Sequence, residues 1–213
     1  AVGGRDVIIK KITMDRMKAA EAREVIRWEA EQHVPFDMEN VELDFQILDP
    51  DSDGLQMTVL LVAAKRELIE TKLSLLADVG LEPSIIDVDA FALQNAYEVN
   101  YGTEPDAVVV LLNAGASATN INILHGDQSV FTRDISTGGN AYTEALQKEL
   151  NLPFEQADAL KRGGVVDGVT FDDARPVLRA VTENVMLEVQ KTFDFFKTSA
   201  ASDRITRIVV SGG

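Results

Sequence analysis

From Val41 to Leu48 apolar and polar positions alternate, with Val41, Leu43, Phe45 and Ile47 on one side, so a half-buried strand is predicted. Val7–Ile12 is an earlier strand. Leu55–Ala63, more apolar, is the strand that returns after a turn at Pro50–Gly54. Between the first two strands the spacing predicts a helix from a Thr13 cap to about His33, with Asp15 in its first turn. Ala22, Val25 and Ile26 share one face of it, Trp28 lies at the flank, and Pro35 stops it. Glu67–Val79 reads as a helix with Ile69, Leu73 and Leu76 inward, ended by Gly80. Ser84–Val88 reads as a short strand and Ala90–Asn100 as another helix. The order helix, strand, strand, helix marks a compact α+β unit.

The texture changes after residues 102–106 (GTEPD), the best linker candidate. Ala107–Leu112, Thr119–Leu124 and Ser129–Ile135 form a predicted three-strand meander whose second turn is Gly126-Asp127. A Gly138-Gly139 pair opens a helix to about Leu150, and Phe154–Arg162 is a short helix ended by Gly163-Gly164. Ala174–Lys197 is a long helix with a buried stripe of Leu178, Val181, Val185, Val189, Phe193 and Phe196. Arg204–Ser211 returns as a strand, read as buried. An apolar strand running into Gly-Gly reads as part of a longer protein, because its edge needs a cover.

Composition narrows the function classes. The 213 residues, 46% hydrophobic, suffice for a substantial core. Twenty basic against 35 acidic residues give a formal charge of −15, which repels nucleic acid and anionic lipid. Acidic residues lie among basic ones on helical stretches, as in Glu21, Arg23, Glu24 and Arg27, and read as a solvated helix face. Cysteine is absent, which excludes disulfides, thiolate catalysis and Cys-zinc sites and is compatible with the cytoplasm. No apolar run approaches the ~20 residues of a membrane helix, and the first residues lack the order of a secretory signal. His33 and His125 stand far apart in sequence, no Gly-x-Ser-x-Gly elbow occurs, and the Asp49, Asp51, Asp53, Gly54 run lacks the terminal Glu of a calcium loop.

Candidate chemistry concentrates in the stretch VVVLLNAGASATNINIL, residues 108–124. Gly115, Ala116, Ser117 and Ala118 carry almost no side-chain bulk, so backbone N–H groups there can approach a ligand, and successive N–H groups in a turn make an anion nest. Ser117 and Thr119 add hydroxyls. A tight hairpin uses the same residues, and both readings stand. Asn113, at the shoulder, is either a ligand-facing amide or a turn cap.

The order of elements resembles the second half of the actin, Hsp70 and sugar-kinase superfamily. In finer detail, residues 25–36 (VIRWEAEQHVPF), 44–48 (DFQIL), 61–64 before a charged helix, 83–90 (PSIIDVDA) and 135–146 resemble the PilM family of type IV pilus assembly, a relative of FtsA. The resemblance implies an α/β fold of actin-like, ribonuclease H-like lobes with an inserted α+β subdomain. Residues 1–12 and 84–103 are then the remainder of the first actin-like subdomain, and 13–83 the insertion. Residues 104–213 form the second lobe, with 151–202 its outer helical part. It further implies ATP and Mg2+ as cofactors of the full-length protein, with binding weak or absent in this segment. The first phosphate hairpin is expected before residue 1 and the last subdomain after Gly213.

The nucleotide site implied by the resemblance comprises Asn113, Gly115, Ala116, Ser117, Ala118 and Thr119 at the β- and γ-phosphates, with Gly138 and Gly139 opening the next helix. Ser211, Gly212 and Gly213 stand at the adenosine side, with Asp158 and Lys161 of residues 157–161 (ADALK) lining the nucleoside pocket. Two positions depart from the family pattern. Asn113 replaces an Asp that orients the metal-water shell or the attacking water, and Asp158 is one methylene shorter than the usual Glu. Removing such a catalytic group costs around 10²–10⁴-fold, so binding with slow turnover is expected. Trp28, Pro35 and Phe36 read as core. The resemblance also makes them supports of a groove for the N-terminal peptide of PilN, an inner-membrane partner beside other pilus inner-membrane components. The implied role is a cytoplasmic scaffold, peripheral to the inner membrane. An active ATPase or phosphotransferase of the superfamily, and a nucleotide-free module like the cytoplasmic part of GspL, are the alternatives.

Overall fold

The computed structural model describes residues 1–48, 54–199 and 204–213, the side chain of Ser199 excepted, and divides into two compact units, Ala1–Ala92 and Leu93–Gly213. The expected turn at Pro50–Gly54 and the Asp49, Asp51 and Asp53 run lie outside the described residues, apart from Gly54.

In the first unit, β1 (Val7–Asp15), β2 (Val41–Ile47) and β3 (Gln56–Lys65) form an antiparallel sheet in the order β1-β3-β2. The alternation read from Val41 to Ile47 holds, since Val41, Leu43, Phe45 and Ile47 all pack on one cluster with Met57, Val59 and Leu61. Helix α1 (Ala19–Glu31) covers that face with Ala22, Ile26 and Ala30. Thr13 does not cap the helix. It lies inside β1, paired with Thr58, because β3 offers backbone partners as far as Gln56, opposite Asp15. The helix opens instead at Lys18, whose N–H is accepted by Glu21 at 3.1 Å.

The other face of this sheet meets Val2, Val88, Ala90 and Phe91, together with Leu68 and Ile69 of α2 (Arg66–Asp78). Ile69 packs inward, as read, but Leu73 is 37% exposed and α2 has no fully buried residue. Ser84–Val88 is not a strand. Val88 alone bridges to Val2, and Ile85 is 83% exposed. Helix α3 (Asp89–Tyr101) carries the chain through the division between the units.

The second unit holds a four-stranded sheet, ordered β6-β5-β4-β7, made of β4 (Val108–Ala114), β5 (Thr119–His125), β6 (Gln128–Ile135) and β7 (Arg207–Gly212). The first three strands are the antiparallel meander, and β7 joins β4 in parallel. One face, with Val108, Val110, Ile121 and Ile123, packs against Val189 and Phe196 of α6 (Phe171–Ser199). The opposite face, with Val109, Leu111 and Leu124, packs against Leu93 and Tyr97 of α3. Helices α4 (Gly139–Leu150) and α5 (Phe154–Lys161) join the start of α6 around Leu146, Ala157, Leu160 and Ala174.

Two expectations are corrected. Of the predicted α6 stripe only Val189 and Phe196 are fully buried, while Leu178, Val181, Val185 and Phe193 are half-buried. Strand β7 is not buried: it lies at the edge of the sheet, with Val210 68% exposed.

Candidate functional site

The bend between β4 and β5 is closed by a bond from the Gly115 N–H to the Ala118 carbonyl, 2.9 Å. A Cβ on Gly115 would stand 2.9 Å from that carbonyl oxygen, so the closure requires glycine. Ala116 and Ser117 are exposed at the tip, and Thr119 is buried. Among the described residues, the N–H groups of Ala116, Ser117 and Ala118 have no backbone partner.

The bend rests on the start of α4. The Gly139 N–H donates to the Gly115 carbonyl at 2.9 Å, and the Asn140 N–H donates to the Ala116 carbonyl at 2.8 Å. Two of the donors that a helix N-terminus leaves unsatisfied are therefore spent on the bend. Gly138 permits the approach, since a Cβ there would lie 2.7 Å from the Ala116 carbonyl carbon and oxygen. The Thr119 hydroxyl donates to the Thr137 carbonyl at 2.8 Å, which leaves Ser117 as the open hydroxyl of the bend.

The end of β7 meets the same region. Ser211 pairs with Asn113 and Gly212 with Ala114, and the Gly213 N–H donates to the Ala114 carbonyl at 3.0 Å. Gly212 has φ +92°, and its Cβ would stand 2.8 Å from the Ala114 carbonyl carbon and 2.9 Å from Asn113 Oδ1. Left-handed backbone and close approach both demand glycine. The Asn113 bend and the Ser211-Gly212-Gly213 end, distant in sequence, thus share one end of the sheet.

A row of polar side chains crosses all four strands at this end. Ser211 Oγ donates to Asn113 Oδ1 at 3.3 Å, Asn113 Nδ2 to Asn120 Oδ1 at 3.3 Å, and Asn120 Nδ2 to Asp134 Oδ1 at 2.8 Å. Sequence reasoning missed Asn120 and Asp134. The available signal was the alternation of residues 119–122 (TNIN), which puts two asparagines on an inward face of an otherwise apolar strand.

Lys161 and Asp158 lie on α5. Lys161 Nζ donates to Thr143 Oγ1 at 2.9 Å and to the Gly139 carbonyl at 3.4 Å, so it reaches the first turn of α4. Asp158 Oδ1 meets Lys161 Nζ at 2.8 Å, and its other oxygen is bonded by Arg162. The Lys161 hydrogen bond above all, with Arg162 adding to it, lowers the Asp158 carboxyl below the usual 3.8. Each carboxylate oxygen already holds a cation, one at the last position of α5 and one at its C-cap.

Trp28, Pro35 and Phe36 belong to the first unit. Trp28 is 71% exposed on α1 and is not core, because it lies outside the buried Ala22, Ile26, Ala30 stripe. Pro35 is exposed as well. Phe36 packs on the α1 cluster, with Lys65 Nζ 4.9 Å from its ring centre. Among the described residues no group of three or more acidic or histidine side chains gathers to hold a metal. The histidines fall in separate units, and no described helix is long and apolar enough to cross a membrane.

The open N–H groups and small side chains of the bend suit an anion, and the Asn113 oxygen suits a donor such as a metal-bound water, so the residues fit a nucleotide with its cation. A family model described as type IV pilus assembly protein PilM matches residues 1–213. The chain belongs to the PilM family. A chain in the solved structure of a PilM-PilN type IV pilus biogenesis complex is 30% identical over 98% of this chain, with a TM-score of 0.81. The present chain spans 60% of the length of that one. MreB5 of Spiroplasma citri bound to ADP matches 70% of this chain and 54% of its own at 16% identity, with a TM-score of 0.53, a likeness of fold alone. The fold is actin-like.

Proposed function

We propose that this PilM-family chain is part of a nucleotide-binding scaffold of type IV pilus assembly, acting at the cytoplasmic side of the inner membrane through a PilN-type partner. The observation that carries the nucleotide reading is the meeting of the 113–119 bend and the 211–213 end at one sheet end, where the Ala116, Ser117 and Ala118 N–H groups have no backbone partner among the described residues. Bend N–H groups would hold phosphate, and the glycines of β7 and Lys161 would flank the nucleoside. Mg2+, when bound, would neutralise phosphate charge. Residues 13–83 serve as the inserted subdomain between 1–12 and 84–103, and 104–213 as the second lobe. The amide at Asn113 accepts no proton, which favours binding over turnover.

The partner reading draws on the likeness to the chain in a PilM-PilN complex and on Trp28, a large aromatic held at 71% exposure, as interface anchors are before they are covered. The PilN N-terminal peptide is the proposed occupant, and through it the scaffold meets other inner-membrane components. Calorimetry of the full-length protein with Mg·ATP tests the nucleotide site, and absence of binding would leave a nucleotide-free module. Titration with the PilN N-terminal peptide tests the groove. Trp28→Ala should weaken binding more than Lys161→Ala, and equal weakening moves the groove elsewhere. Phosphate release should be slow; rapid release by the unmodified protein would make it an active ATPase.

A further inference from the structure

The row Ser211–Asn113–Asn120–Asp134 has a fixed direction. A carboxylate at Asp134 only accepts, so Asn120 must turn its Nδ2 toward it, at 2.8 Å. That turn leaves Asn120 Oδ1 facing Asn113, which must answer with its own Nδ2, at 3.3 Å. Asn113 Oδ1 is then the atom presented beside Ser211 and Gly212. A carboxylate at the edge strand thereby decides which end of an amide two strands away meets the β4–β7 end of the sheet.

We propose that Asp134 and Asn120 are positioning residues that turn the Asn113 amide so that its oxygen, not its NH2 group, faces Ser211 and Gly212, where it takes a metal-bound water or another donor. This rests on the nucleotide reading of the site. Asn113 Nδ2 directs one of its two N–H groups to Asn120, and Oδ1, which accepts from Ser211, keeps a second lone pair. Phosphate falls to the N–H groups of Ala116, Ser117 and Ala118. Asn113 thus offers the same kind of atom that a carboxylate would offer to a hydrated cation, without its charge.

Asp134→Ala removes the acceptor, whereas Asp134→Asn keeps a hydrogen-bonding partner for Asn120 but, donating as well as accepting, no longer fixes the direction of the row. Side-chain amide NMR of the full-length protein without nucleotide reads the row directly. Asp134→Ala should speed hydrogen exchange of both the Asn120 and the Asn113 NH2 groups, and Asp134→Asn should restore both in part. An Asn113 signal untouched by Asp134→Ala overturns the positioning role. Affinity for Mg·ATP should fall by roughly tenfold in Asp134→Ala, the lower end of what outer-shell partners of a metal site contribute. Affinity for metal-free ATP should be unchanged, and Asp134→Asn should restore the loss only in part, because the row can then run in either direction. An equal loss for Mg·ATP and metal-free ATP would place Asn113 on the phosphates and refute the acceptor role. If the unmodified protein binds no nucleotide while the NMR coupling holds, the site reading fails and the positioning itself survives.

Discussion

Gly138 and Gly139 look equivalent in sequence, yet substitution by Ala should have opposite effects. Gly138 has φ −144°, which any residue can adopt, so its requirement is steric. The nearest atom to its added Cβ would be the Gly115 carbonyl oxygen, followed by the Ala116 carbonyl carbon and oxygen at 2.7 Å, where 3.4 Å is the start of ordinary contact. The bend must then retreat by more than roughly 0.7 Å, which takes its bonds from Gly139 and Asn140 beyond the range in which an N–H···O bond holds. Each such bond contributes about 1 kcal/mol, and residual crowding costs about 1 kcal/mol more. Gly138→Ala should therefore lose about 3 kcal/mol, a fall in Tm of roughly 6–12 °C for a chain of this size. At Gly139 the nearest atoms to a Cβ are 3.9 Å away, and Ala in a helix gains up to about 0.5–1 kcal/mol over Gly. Urea unfolding should be followed by far-UV circular dichroism, because the single tryptophan, Trp28, lies in the other unit. Gly138→Ala within about 0.5 kcal/mol of the unmodified protein, or a matching loss at Gly139, would refute the contact between bend and helix.

Asn113→Asp should destabilise by about 1–3 kcal/mol near neutral pH, since a carboxylate oxygen would face Asn120 Oδ1. The double variant Asn113→Asp, Asp134→Asn should recover stability by reversing the Asn120 amide; additive losses in denaturant titrations would disprove the directed row. Phe196→Ala should cost about 3–5 kcal/mol and Phe195→Ala about 1 kcal/mol at most, because Phe196 is 2% exposed and Phe195 58%; equal midpoints would argue against the assigned α6 face. Asp158 has a lowered pKa, so its pairing contributes stability above its ordinary 3.8 that is lost as pH falls through the lowered value. Stability curves of the unmodified protein and Asp158→Asn should differ at neutral pH and converge in acid, and a gap unchanged down to about pH 2 would count against the pairing.

Strand alternation at Val41–Ile47, glycine punctuation at 138–139 and the apolar spacing of α6 were readable because each is a local rule. What was misread depended on neighbours. Thr13 looked like a cap, yet β3 continues far enough to hold it in a ladder. Residues 84–88 have strand-forming composition, but among the described residues their strand pairing is limited to the bridge of Val88 with Val2. β7 is as apolar as a central strand, and its exposure follows from having β4 alone beside it. At the candidate site, the bend and the glycines of β7 were legible from small residues at strand ends. Asn120 and Asp134 were not, because their meaning arises from cross-strand register, which sets Asn113 opposite Asn120 and Asn120 opposite Asp134.

The hydrogen bonds from Gly139 and Asn140 to the bend, and from Lys161 to the first turn of α4, have a mechanical consequence. A ligand that displaces the tip by an ångström cannot do so in isolation. It must drag the start of α4, and Lys161 passes the pull to α5. Any displacement of the tip is thereby converted into motion of α4 and α5, a lever whose fulcrum is the 2.9 Å bond between Gly139 and Gly115.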